Sequence, residues 1–285
     1  MDIKKPFVVG AGIMGSGVGQ LCAQQGYEVT VVDTSEEIVE KAKEKVKTGL
    51  SRRVEKGKIT QEEMESVLSR INWSTDLDLA RECDFVLEAV FENLGVKKDT
   101  FKRLDSICSA ETILATNTTA LSVSEIASAT SRPDKVVSMH FFNPAVIMKL
   151  VEIIRGEKTS EETIVTAKEF AESLGKIPIT TAKEAPAGIV SRVLAGLLNE
   201  AAVVYAEGIA SPQDIDEAMK LGAGLPMGPL ALIDMIGLDI HFAKMETLYE
   251  KLKDERYKPP EVIRKMVAEG KLGKKTGEGF YKYKY

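Results

Sequence analysis

Apolar residues in the first part of the chain fall into short runs separated by amphipathic stretches. Phe7-Val8-Val9, Glu28 to Val32, Cys83 to Val90, Thr112 to Thr116, Val136 to Met139 and Leu150 to Ile154 read as strands. Ile177-Pro178-Ile179-Thr180 reads as a last strand, with a proline that suits a sheet edge. Helical patterns lie between: Ile13 to about Gln25, stopped by Gly26; about Lys97 to Ser109; and about Ser160 to Leu174. A helical hairpin is expected over residues 34–70, turning at Gly57-Lys58. Its helices open Thr34-Ser35-Glu36-Glu37 and Thr60-Gln61-Glu62-Glu63, both with capping-box spacing. Strands alternating with helices predict a doubly wound α/β sheet.

After Lys183-Glu184-Ala185-Pro186, which reads as a linker, the strand pattern ends. The run Ile189 to Tyr205 is apolar on nearly every face, Ser211-Pro212 opens another helix, and Gly222 to Pro229 is a break. We therefore expect an α/β domain over residues 1–184 and an all-helical domain over residues 185–285. A domain of about 100 residues hardly buries such a helix alone, so the second is expected to form a homodimer.

Composition narrows the function. The 285 residues are 44% hydrophobic and 28% charged, with no apolar run of the roughly 20 residues that a membrane span needs, so no membrane partner is expected. A net charge of -5 argues against general nucleic-acid binding. Met1 to Pro6 enters a strand without a signal-peptide core, and the three cysteines are odd in number and lack Cys-x-x-Cys spacing. These point to a cytoplasmic protein with no metal site. One region runs against the net charge: between Lys41 and Lys58 eight basic residues face two acidic ones. It is either a solvated helix face or a landing site for a phosphate-bearing substrate.

The candidate chemistry begins at Gly10-Ala11-Gly12-Ile13-Met14-Gly15, between the first strand and the first helix. The second strand ends at Asp33, 18 residues beyond Gly15. Glycines for a tight turn, a helix N-terminus for a pyrophosphate and a terminal carboxylate for a ribose hydroxyl make a Rossmann-type site, and the carboxylate favours NAD over NADP. His140, one of two histidines, stands at a strand end, and Glu152 lies in the next strand. The pattern alone leaves two readings open: a core histidine beside an exposed Glu, or a carboxylate holding one imidazole nitrogen while the other exchanges a proton. Asn117-Thr118-Thr119 forms a polar strand end that either caps a turn or faces a ligand.

The set of motifs resembles the short-chain L-3-hydroxyacyl-CoA dehydrogenases, most of all the bacterial 3-hydroxybutyryl-CoA dehydrogenases. The resemblance spans essentially the whole chain. It rests on the glycine motif, Asp84 to Asn93, Thr116-Asn117-Thr118-Thr119, Arg132 to Glu152, Asn199-Glu200-Ala201, Pro226-Met227-Gly228-Pro229-Leu230 and Gly279-Phe280-Tyr281. It implies reversible hydride transfer between NAD and the 3-hydroxyl carbon of an acyl-CoA substrate, with His140 and Glu152 as the acid–base pair. It also implies cofactor contacts at Gly10, Gly12, Ile13, Met14, Gly15, Asp33, Ala89, Val90, Glu92, Lys97, Asn117 and Asn143, and CoA-phosphate contacts at Arg52 and Lys56.

Two positions depart from the family pattern. Thr119 stands where a catalytic serine usually bonds the substrate oxygen, and Ser191 replaces an active-site asparagine. The rivals are a gulonate-type sugar-acid dehydrogenase of the same fold and a non-catalytic NAD-binding protein.

Overall fold

The apolar runs form β1 (Pro6–Val9), β2 (Val29–Val32), β4 (Phe85–Glu88), β5 (Ile113–Thr116), β6 (Val136–Phe141), β7 (Leu150–Arg155) and β8 (Ile177–Thr180). The structure, a computed structural model, describes residues 3–118 and 120–284. It adds β3 (Ile71–Ser74), which the sequence pattern did not show. All eight strands make one sheet in the order β3-β2-β1-β4-β5-β6-β7-β8. Every neighbouring pair is parallel except β6 with β7. β1, β4 and β5 are buried along their whole length, as continuous apolar runs in a parallel sheet require.

Six helices cover this sheet: α1 (Ile13–Gln24), α2 (Glu36–Glu55), α3 (Gln61–Ser69), α4 (Leu94–Ile107), α5 (Val123–Ala127) and α6 (Glu161–Ser173). The capping box at α3 forms as its spacing predicts: the Thr60 hydroxyl accepts from Glu63 N at 3.1 Å, and Thr60 N donates to Glu63 Oε2 at 2.7 Å. The one expected at α2 does not. Its N-cap is Ser35, without a side-chain bond, because Thr34 turns back and donates from N and Oγ1 to Asp33 Oδ1. α4 begins three residues earlier than its pattern suggests, since Asn93 Oδ1 accepts from Val96 N at 3.1 Å.

The chain divides into the units Met1–Gly188 and Ile189–Tyr285. The second holds α7 (Val190–Ala206), α8 (Pro212–Ala223), α9 (Pro229–Ile236), α10 (Leu238–Leu252) and α11 (Glu261–Ala268), with isolated bridges in place of strands among its described residues. Two buried carboxylates tie its closing segment down. Asp216 accepts from Leu230 N and the Tyr281 hydroxyl, and Asp234 accepts from Phe280 N and Tyr281 N. α7 buries only part of its surface within the chain, leaving Val193 67% exposed. Among the described residues no helix is long and apolar enough to cross a membrane, and no acidic, Cys or His cluster is arranged to hold a metal.

Candidate active site

The ends of β1, β2 and β4 build a turn around the glycine motif. Gly10, with φ of 99°, donates to Val32 O at 2.7 Å, and a Cβ on it would stand 2.6 Å from Ala89 O. Ala89 N in turn donates to Val9 O, so three strand ends meet at this residue. A Cβ on Gly15 would lie 1.7 Å from Gly10 O, which leaves glycine as the residue that lets α1 start so close to the turn.

Gly12 is the N-cap of α1, contributes no side-chain cap, and a Cβ built there meets nothing within 4 Å. The amides of the first turn have no intrahelical acceptor. With no side chain filling the space beside them, the loop fits a pyrophosphate. Asp33 Oδ2 accepts from Ala11 N at 2.7 Å and Oδ1 from Thr34 N at 2.8 Å, which fixes the carboxylate beside that loop. A fixed, half-buried carboxylate at the end of β2 fits the hydroxyl of an adenosine ribose. The residues present therefore suit an adenine dinucleotide.

Beneath the next loop lies a group that the sequence reading missed. Glu88, fully buried at the end of β4, accepts from Val90 N (2.7 Å) and Lys97 Nζ (2.6 Å) on Oε1, and from the Thr116 hydroxyl (2.7 Å) on Oε2. Its signal was an acidic residue inside an otherwise apolar strand. Lys97 is 1% exposed, and its ammonium also reaches Glu92 Oε2 at 3.4 Å and Val90 O at 3.4 Å. Lys97 thus braces the loop of Ala89, Val90 and Glu92 from within. Glu92 also accepts from the Thr118 hydroxyl. Asn117 links two strand ends, its N donating to Glu88 O at 2.7 Å and its Oδ1 accepting from Phe141 N at 2.8 Å.

The antiparallel pairing of β6 with β7 makes His140 and Glu152 cross-strand partners. His140 Nδ1 stands 3.1 Å from Glu152 Oε2, with the residues 7% and 1% exposed. A carboxylate at Nδ1 selects the tautomer in which that nitrogen carries hydrogen, so Nε2 is the nitrogen that takes or gives a proton. Burial strengthens the attraction between an imidazolium and this carboxylate. The Phe142 ring lies 4.4 Å from the imidazole, centroid to centroid. The hairpin continues through exposed Asn143, whose bond to Pro144 is cis.

The structure thus brings together His140 with Glu152; the glycine motif with Asp33, Ala89 and Val90; and Glu92 with Lys97. Arg52 and Lys56 are exposed at the last turn and C-cap of α2. Ser191 lies in the first turn of α7, in the second unit. Thr119 is outside the described residues.

Two family models match. The 3-hydroxyacyl-CoA dehydrogenase NAD-binding domain covers residues 6–185, and the C-terminal domain of that family covers residues 189–283. The chain is 45% identical to the 3-hydroxybutyryl-CoA dehydrogenase of Clostridioides difficile, covering 97% of this chain and 98% of that one. It is 43% identical to the mitochondrial hydroxyacyl-coenzyme A dehydrogenase of Homo sapiens, over 99% of this chain and 92% of that one. Among solved structures, the (S)-3-hydroxybutyryl-CoA dehydrogenase of Ralstonia eutropha superposes with a TM-score of 0.97 at 45% identity, and 100% of each chain is covered.

Proposed function

The chain belongs to the 3-hydroxyacyl-CoA dehydrogenase family, and on that premise we propose that it interconverts 3-hydroxybutyryl-CoA and acetoacetyl-CoA, with His140 as general acid–base. It is an NAD-dependent dehydrogenase. The observation that carries the proposal is the buried His140–Glu152 pair, 3.1 Å apart at the end of β6. In the oxidative direction His140 Nε2 takes the proton of the 3-hydroxyl group, and Glu152 stabilises the imidazolium through Nδ1–H. NAD, when bound, supplies the acceptor for the hydride that leaves carbon 3. In the reductive direction the imidazolium returns its proton to the carbonyl oxygen. Glu152 remains ionised throughout and keeps the ring in one orientation.

Around this pair, Asp33 would hold the adenosine ribose, the first turn of α1 the pyrophosphate and Asn117 the nicotinamide end, with Ala89, Val90, Glu92, Lys97 and Asn143 as further cofactor contacts. Arg52, in the last turn of α2, and Lys56, its C-cap, are four residues apart, a spacing that suits both to the CoA phosphates. Thr119 and Ser191 are assigned to the substrate oxygen. The second unit forms the dimer. That reading is supported by Val193, Ile209 and Leu221, which are 67%, 66% and 79% exposed within one chain. A cytoplasmic location accords with a substrate of this kind.

The test is acetoacetyl-CoA reduction followed by loss of reduced-cofactor absorbance, with NADH and NADPH in parallel. We expect turnover that prefers NADH and falls about 10²- to 10⁴-fold in His140→Ala. Undiminished turnover in that variant, or no turnover by the unaltered enzyme, would overturn the assignment.

A further inference from the structure

The segment that leaves β8 comes back to the acid–base pair. Glu184 anchors it at the start of α5, where its carboxylate accepts from the Ser124 hydroxyl and, at 3.3 Å, from Ser124 N. That hydroxyl oxygen itself accepts from Glu157 N at 2.9 Å, so the anchor is tied to the end of β7 as well. Four residues further on, Gly188 is buried, with φ of 57°, and donates to Ala185 O. A Cβ built on Gly188 would stand 2.5 Å from Glu152 Oε2 and 3.2 Å from Ile154 Cδ1, two neighbours on the same face of β7. Glu152 Oε2 is the oxygen that faces His140 Nδ1.

Left-handed backbone does not by itself explain a glycine here. Ala187, the preceding residue, holds φ of 65° with a Cβ in place. What residue 188 lacks is room, and the atom that takes the room belongs to the catalytic carboxylate. We propose that Gly188 is a positioning residue for the acid–base pair: its bare backbone seats Glu152 Oε2 against His140 and closes the carboxylate off from water. The inference rests on the assignment of His140 and Glu152 above.

The geometry also says where a substitution is felt. The group that yields to a methyl at 188 is the end of the Glu152 side chain, not a stretch of backbone, so the displacement falls on the chemistry before it falls on the fold. A carboxylate pushed away from Nδ1 holds the imidazolium less firmly and leaves the ring less well aimed.

The experiment compares Gly188→Ala with Gly26→Ala, a glycine of the same unit at φ of 93° where a Cβ meets nothing within 4 Å. Both carry the backbone strain, and one touches the carboxylate. In acetoacetyl-CoA reduction, Gly188→Ala is expected to lower kcat by up to about 10²-fold with KM for NADH unchanged. The high-pH limb of its rate profile moves to lower pH, while Gly26→Ala changes neither quantity. In a Glu152→Gln background, Gly188→Ala adds no further loss, because its effect passes through the group already removed.

A readout independent of turnover is the ring Nδ1–H resonance of His140, resolvable because the chain has two histidines. A hydrogen bond to the carboxylate holds that proton downfield; it moves upfield in Gly188→Ala and keeps its place in Gly26→Ala. A resonance and a kcat matching those of the control overturn the inference, as does a loss that adds in full to that of Glu152→Gln. A moved resonance in an enzyme that keeps its activity after His140→Ala upholds the positioning of Glu152 and overturns the acid–base assignment instead.

Discussion

Asp33 shows how much one side chain carries at a strand end. Its two oxygens already serve the loop, one accepting from Ala11 N and the other from Thr34 N, so the carboxylate is held before any cofactor arrives. Its charge is a separate matter from its shape. Asn at this position keeps an acceptor for the loop while removing the repulsion toward a 2′-phosphate and the charged acceptor for a 2′-hydroxyl. A hydrogen bond to a charged group contributes about 1.5–3 kcal/mol, so Asp33→Asn should reduce the NADH preference by roughly 10-fold or more. The ratio of kcat/KM with NADH to that with NADPH measures it, and an unchanged ratio removes Asp33 from cofactor choice. This residue was legible in the sequence because its type, spacing and place at a strand end each point the same way. Gly188 was not, because nothing local marks it; its role comes from a segment returning to a strand more than thirty residues earlier in the chain.

Among the elements, the apolar runs and helix starts predicted most of the sheet, and the exceptions have physical causes. β3 escaped notice because Ile71-Asn72-Trp73-Ser74 is an edge strand in which only Ile71 is buried, leaving no apolar run to see. α5 spans five residues, too few for a helical pattern to repeat. At the junction of β4 with α4, the sequence pattern gave no sign that the Lys97 ammonium is enclosed with Glu88 at 2.6 Å, 1% and 0% exposed at their side chains. Removing one member of such a pair strands the other charge. Lys97→Met should cost about 3–5 kcal/mol, and pairing it with Glu88→Gln should restore most of that, since the second change removes the stranded carboxylate. Urea unfolding of the single and double variants decides it; equal stability of the single variant and the parent would show that Glu88 needs no counter-charge.

At the scale of the whole molecule, the two histidines divide between the two units and act in different ways. His140 belongs to the first unit. His241, in α10 of the second, is 2% exposed, and its Nε2 has no hydrogen-bond partner. Burial, with a smaller contribution from Lys244, pushes its imidazole down from 6.5 to about 4. In that window the unfolded chain takes up a proton that the folded one refuses, so stability is complete above about pH 6.5 and falls as the pH drops toward 4. At 1.36 kcal/mol per unit the whole shift corresponds to about 3 kcal/mol, a ceiling approached only near the lower end. Asp234, whose carboxyl is raised by its own burial, acts in the opposite sense: its folded form holds a proton more readily, which offsets part of the acid loss. His241→Met separates the two, because it fills a similar volume, removes the unpaired nitrogen and leaves Asp234 in place. Its unfolding free energy should fall less between pH 7.5 and 5 than that of the parent, by about 2 kcal/mol. Parallel pH dependences of parent and variant would mean that His241 is protonated in the fold as readily as outside it.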